Sequence, residues 1–203
     1  MPMSVGNYDS FAIHGLSVQS PTDVWVSAWY YSSYSANSTY PVYRFDGGTW
    51  ANTVNGALNS TYTASVGALW GSSGDDMWGA SDWYANPGGY RRVSPGNVWA
   101  RVDAGFAPAD LHGSSANDVW FVGAQGQVAR WTSGTNAEAM LAPPLQNCTA
   151  ATVVDVNTAF EACGRQIATV DPTSGAYSLS GPLAALAIGE TLTDLWAASA
   201  TQV

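Results

Sequence analysis

Lysine is absent from this chain of 203 residues: its basic side chains are six arginines, Arg44, Arg91, Arg92, Arg101, Arg130 and Arg165, set against 15 acids for a net charge of −9. Nucleic-acid binding depends on cations that neutralise phosphates, and scattered arginines on an acidic chain are a poor basis for it. Anionic membrane surfaces are disfavoured for the same reason. No apolar run approaches the 18 or more residues that span a bilayer. The first residues, MPMSVGNYDS, lack the basic flank and apolar stretch of a secretory signal, so any such signal has been removed or never existed. Two histidines without a carboxylate cluster make a weak metal site, and nothing calls for a cofactor. No catalytic constellation stands out.

What is present is repetition. QSPTDVW (residues 19–25), GSSGDDMW (71–78), GSSANDVW (113–120) and GETLTDLW (189–196) spell one phrase, with aspartates at 23, 76, 118 and 194. The last gap is too long for one step, and VVDVNTAF (153–160) fills it, with Thr158 for the Asp and Phe160 for the Trp. Five units in 203 residues average about 41 each, within the roughly 40–45 residues of four-stranded propeller blades. Each phrase runs from an apolar stretch through a Gly/Ser/Asn/Asp turn into a Val/Trp/Phe-rich stretch, the pattern of two strands joined tightly. The expected fold is all-β, a single β-propeller domain of about five blades over residues 11–60, 61–106, 107–146, 147–182 and 183–203. The last blade is incomplete or is closed by an N-terminal strand from residues 1–10. The Ala-rich stretch Leu183 to Ile188 reads as a strand.

Repeated residues point to scaffold, because packing positions recur in every blade whereas an active site is made once. Trp25, Trp78, Trp120 and Trp196 are expected in core or interblade packing. The aspartates are expected to form turns; a lone acid per turn gives calcium too few oxygen ligands. Arg44, Arg92 and Arg130 align on the third strand, where pairing with those aspartates is favoured over a clamp on a substrate. His14 and His112 fall at related places, and His112 aligns with Trp70, as a packed side chain would.

Cys148 opens the first strand of the fourth unit and Cys163 closes its second. One antiparallel register places them opposite each other and Val153 opposite Thr158, so a cross-strand disulfide is expected, with two unrelated buried thiols as the alternative. A bridge points to an oxidising compartment, hence a secreted or cell-surface protein. The sequons at Asn37, Asn59 and Asn147 are acceptors only in a eukaryotic secretory pathway.

Interruptions of the repeat carry the candidate site. Between second and third strands, unit one inserts WYYSSYSANSTYP (29–41) and unit two SDWYANPGG (81–89). Trp29, Tyr30, Tyr31, Tyr34, Tyr40, Trp83 and Tyr84 stand there among Ser, Asn and Gly. That mixture offers rigid amphipathic rings with adaptable polar partners, as antibody paratopes do, and it suits sugars as well. The alternative is that the rings fold back onto the disc.

GSSANDVWFVG and VYRFDGGTW resemble the tandem repeats of bacterial secreted β-propellers, in the neighbourhood of Asp-box and kelch sequences. That resemblance implies a propeller and, among its members, sialidases, lectins and interaction modules. DGGTW (46–50) lacks the Ser spacing usual before an Asp-box. The expected function is a non-catalytic, secreted ligand-binding propeller, with a glycan slightly favoured over a protein ligand. A protein-interaction or self-assembly module, whose strands another chain completes as a homo-oligomer, is the alternative, and a sialidase-like glycosidase comes third.

Overall fold

The structure is a computed structural model that describes residues 10–32, 37–53, 66–81, 88–93, 98–139, 148–155, 158–171, 176–184, 186–187 and 189–197. Its regular elements are all strands: β1 (Ser10–Ser20), β2 (Asp23–Ser32), β3 (Asn37–Thr39), β4 (Val42–Phe45), β5 (Trp50–Asn52), β6 (Ala68–Ser73), β7 (Asp76–Ser81), β8 (Gly88–Val93), β9 (Val98–Val102), β10 (Pro108–Ser115), β11 (Asp118–Gly123), β12 (Val128–Trp131), β13 (Glu138–Ala139), β14 (Cys148–Asp155), β15 (Thr158–Cys163), β16 (Gln166–Val170) and β17 (Tyr177–Leu179). They form four antiparallel meanders, ordered β1-β2-β4-β5, β6-β7-β8-β9, β10-β11-β12-β13 and β14-β15-β16-β17, with β3 added to the far half of β2. One sheet falls in each of the first four repeat spans.

The repeated phrase is the first hairpin of each sheet. Its acidic position is the first residue of the second strand: Asp23, Asp76 and Asp118, and Thr158 in the fourth sheet. A register shift precedes the turn in all four, between Val18 and Ser20, Gly71 and Ser73, Gly113 and Ser115, and Val153 and Asp155. A second shift in the fourth sheet, between Cys148 and Ala150, corrects the single register expected for the fourth unit. Cys148 does face Cys163, but Val153 pairs with Ala159, and Thr158 pairs with Asp155. A bulge leaves one residue unpaired, so pairings on its two sides obey different sums.

The chain divides into two compact units, residues 1–102 and 103–203. In the first, Trp25 and Val42 of the first sheet pack with Leu69, Met77, Tyr90 and Trp99 of the second. Trp25 and Trp99 meet edge to face at 6.5 Å, an arrangement favoured by the ring quadrupole. β1 and β6 come close enough at Gly15 that a Cβ there would lie 2.8 Å from the Gly67 carbonyl oxygen. The opposite face of the first sheet is different. A shift between Ile13 and Gly15 keeps Phe11, Ile13, Leu16 and Val18 on one side of β1, where they are 44–60% exposed.

In the second unit, Trp120 and Val128 pack with Val153, Ala159 and Val170, and Val122 with Cys148, Ala151 and Cys163. Two side chains of β10 tie it to β14: Asp110 Oδ2 accepts the Ala151 N–H at 2.8 Å and His112 Nδ1 the Val153 N–H at 3.0 Å. Residues 183–197 of the fifth repeat contain no strand among the described residues, which corrects the strand expected over Leu183 to Ile188. That stretch turns back, Leu186 N–H to the Leu183 carbonyl, and hangs on the β15–β16 turn through Leu183 N–H to the Arg165 carbonyl and Leu192 N–H to the Gly164 carbonyl. The expected closing strand from residues 1–9 lies outside the described residues.

Candidate functional site

The repeated Asp, Trp and Arg form one device in three sheets. Trp25 lies opposite Arg44, Trp78 opposite Arg91 and Trp120 opposite Arg130. Each guanidinium therefore covers its indole, with Cζ 5.2, 5.1 and 5.5 Å from the ring centroid, and reaches the aspartate two residues before the Trp. The Nε to Oδ1 distances are 2.8 Å to Asp23, 2.7 Å to Asp76 and 2.6 Å to Asp118. The Trp25 and Trp120 Nε1–H groups donate to the same Oδ1 atoms. Trp25, Trp78 and Trp120 are buried. The aspartates are thus ion-pair partners of the third strand as well as turn neighbours.

Arg91, not Arg92, holds the repeat position in the second sheet. Strand alternation turns Arg92 to the other face, where it is buried and lies over Trp25 at 4.7 Å. Burial, and then repulsion from Arg44, lowers its pKa. In the fourth sheet all three members change together: Thr158 and Phe160 stand for Asp and Trp, and Thr169 faces Phe160 where an arginine faces the Trp elsewhere. Trp196 of the fifth repeat has no such cover and is 74% exposed.

The insertion in unit one extends β2 past the end of β4, and β3 returns along it, Tyr30 opposite Thr39 and Tyr31 opposite Ser38. Alternation along β2 separates the three consecutive rings. Trp29 and Tyr31 share a face, their rings 6.4 Å apart and 19° from parallel; Trp29 is half-buried and Tyr31 exposed. Tyr30 points the other way and is buried, stacked on Phe11 at 5.1 Å and edge-on to Tyr43 at 6.4 Å. It serves packing, a correction to its placement among ligand-facing rings. Tyr40 is half-buried at the end of the hairpin. Tyr34, Trp83 and Tyr84 lie outside the described residues.

Three titratable groups with shifted pKa, Glu161 buried and Asp110 and His112 half-buried, were not evident as such in the sequence. Burial pushes Asp110 up to about 6 despite the two backbone N–H groups it accepts. It also depresses His112 to about 4, so His112 is neutral, with Nδ1 already filled by Val153 N–H. Glu161, fully buried, is pushed up to about 7 by desolvation. Asp110 and His112 are thus committed to holding β14 rather than presented to a substrate. Cys148 and Cys163 form the expected disulfide, with Cα atoms 3.9 Å apart. DGGTW makes a tight turn in which Asp46 Oδ1 accepts the N–H groups of Thr49 and Gly48, holding its carboxyl below the usual range. Gly47 takes φ +90° there, a conformation that glycine adopts without strain.

No protein-family model matches the chain, and neither does any curated protein. Among solved structures it is similar to YCF48 bound to D1 peptide, at TM-score 0.59 and 16% identity over 90% of this chain. It is also similar to the extracellular domain of the hybrid two component system BT3049 from B. thetaiotaomicron, at TM-score 0.57 and 8% identity over 87% of this chain. The chain spans 57% of the length of the first and 25% of the second. Four antiparallel four-stranded blades and these likenesses make the fold a β-propeller.

Proposed function

We propose that this chain is a non-catalytic, extracytoplasmic binding propeller that holds a segment of another protein on the extension of its first blade. The observation that carries the reading is the Trp29–Tyr31 platform on a strand that continues beyond its own blade. A tryptophan and a tyrosine there give large contact area at little cost in side-chain entropy. Beside them, β3 pairs with β2 alone among the described strands. Its other edge offers backbone donors and acceptors to an extended peptide, the mode of strand addition. The structural likeness to YCF48 bound to D1 peptide supports a peptide over other ligands, and the disulfide together with the likeness to an extracellular domain supports the location. Trp83 and Tyr84 of the second insertion, with Tyr34 and Tyr40, are proposed to complete the surface.

A glycan is the second reading, favoured by one observation: two near-parallel rings, 6.4 Å apart on one face of β2, offer apolar ring surface to the C–H face of a sugar. Peptide and glycan arrays probed with the intact chain and with Trp29→Ala and Tyr31→Ala separate the two. Retention of peptides, lost about tenfold or more in both variants as for interface hot spots, is the expected result. Signal on glycans alone favours the second reading, and binding unchanged in both variants overturns the site.

A further inference from the structure

Three reactive groups converge inside the fourth sheet. Cys148 pairs directly with Cys163, and Glu161 precedes Cys163 by two residues on β15, so strand alternation points both β15 side chains to one face. The sulfur and carboxylate ligand atoms all lie within 4.8 Å of one another. Cys148 and Glu161 are 0% exposed and Cys163 4%. Glu161 Oε1 has no hydrogen-bond partner, and Oε2 meets the Cys163 Sγ at 3.8 Å. A disulfide sulfur carries no proton, so a protonated carboxyl is the donor in that contact. The positions matching Glu161 in the other sheets hold Val26, Gly79 and Phe121, all buried. An acid where the repeat places an apolar side chain, without an ion-pair partner, is costly to the fold.

We propose that Cys148, Cys163 and Glu161 are a latent site for a thiophilic divalent cation, zinc above all, which the disulfide masks and an external dithiol opens. One thiolate of the dithiol attacks Sγ of Cys163, the less buried of the two, and Cys148 leaves as a thiolate. The second thiol then attacks the mixed disulfide, releases Cys163 and closes the reductant's own disulfide. The protein gains two electrons and two protons, and the reductant loses both. The cation displaces the two thiol protons and the proton of the Glu161 carboxyl, all three passing to solvent, and takes two sulfurs and a carboxylate oxygen, with water as fourth ligand. Zinc bonds of about 2.3 Å to sulfur and 2.0–2.2 Å to oxygen place tetrahedral ligand atoms roughly 3.5 Å apart, which side-chain rotation supplies within the cluster. Soft sulfur ligands select such ions over magnesium or calcium. In an oxidising compartment the disulfide keeps the site shut; before oxidation the chain is free to hold metal.

The test starts from the full chain, reduced with a phosphine in urea and refolded without oxygen with or without cobalt(II). One cobalt per chain, with thiolate charge-transfer absorption and tetrahedral ligand-field bands, is expected, and zinc should displace it. Cys148→Ser and Cys163→Ser each lose the charge-transfer signal, and Glu161→Gln weakens binding by at least about tenfold while shifting the ligand-field bands. A reduced chain that regains its near-ultraviolet dichroism yet shows no thiolate–cobalt absorption overturns the proposal. So does a chain that fails to refold with cobalt as it fails without it. Unchanged affinity in Glu161→Gln removes the carboxylate and, with it, the three-ligand site.

Discussion

Asp118 shows how one side chain can serve a whole blade. Its Oδ1 takes the Arg130 Nε–H and the Trp120 Nε1–H, its Oδ2 takes the Ser114 hydroxyl, and only 5% of the side chain is exposed. Removing one member of such a buried pair leaves the other charge without compensation. Asp118→Ala should lower stability by about 3 kcal/mol in urea unfolding, with Asp118→Ala/Arg130→Met losing less than the single change. The buried acids and His112 give a second expectation. Glu161 is raised to about 7 from 4.5, so the native state binds its proton more tightly than the unfolded chain does. Its contribution is full below about pH 4.5 and is lost as pH rises through about 7, a change on the order of 3 kcal/mol. Asp110 acts with the same sign up to about pH 6. His112, lowered from 6.5 to about 4, acts oppositely: its contribution is full above 6.5 and is lost as pH falls through about 4. Glu161→Gln should therefore flatten the fall in stability between pH 5 and 8 seen by urea titration and leave in place the acid limb, to which His112 and the lowered carboxyl of Asp46 contribute.

Among elements, the hairpins were the most legible part of the chain. The repeated turn and its following aspartate mark where each second strand begins, and the cysteine spacing matches their direct pairing across β14 and β15. Legibility ends where one residue of register changes the face. The sequence RRV does not say which arginine meets the aspartate, and WYY does not say which ring is buried, because a strand turns every other side chain away. Nor does sequence show that Glu161 is buried and Asp110 and His112 half-buried, since that depends on which strands come to lie against β10 and β15. The disulfide closes a sequence separation of 15 residues, for which restricting the unfolded chain stabilises by about 3 kcal/mol. Cys148→Ala/Cys163→Ala should lose about that much in urea unfolding, while the first unit's tryptophan environment stays native before the transition.

At the scale of the whole molecule, four of the nine exposed large apolar side chains among the described residues lie at one place. Phe11, Ile13, Leu16 and Val18 line a single face of β1, and the homo-oligomer expectation is tested on that stripe. Sedimentation velocity should show an average mass that rises with concentration, and Leu16→Glu/Val18→Glu should return it to that of one chain. A mass that stays at one chain throughout would remove the homo-oligomer expectation. The replacement of the Asp–Trp–Arg device in the fourth sheet by Thr158, Phe160 and Thr169 has an optical consequence. Residues 148–180 contain no tryptophan, so that blade is dark in a fluorescence experiment that reports the other three. Its two sulfurs supply the missing signal, and the light emitted by the tryptophans and the labelling of reduced Cys148 and Cys163 by an alkylating reagent follow different parts of one chain.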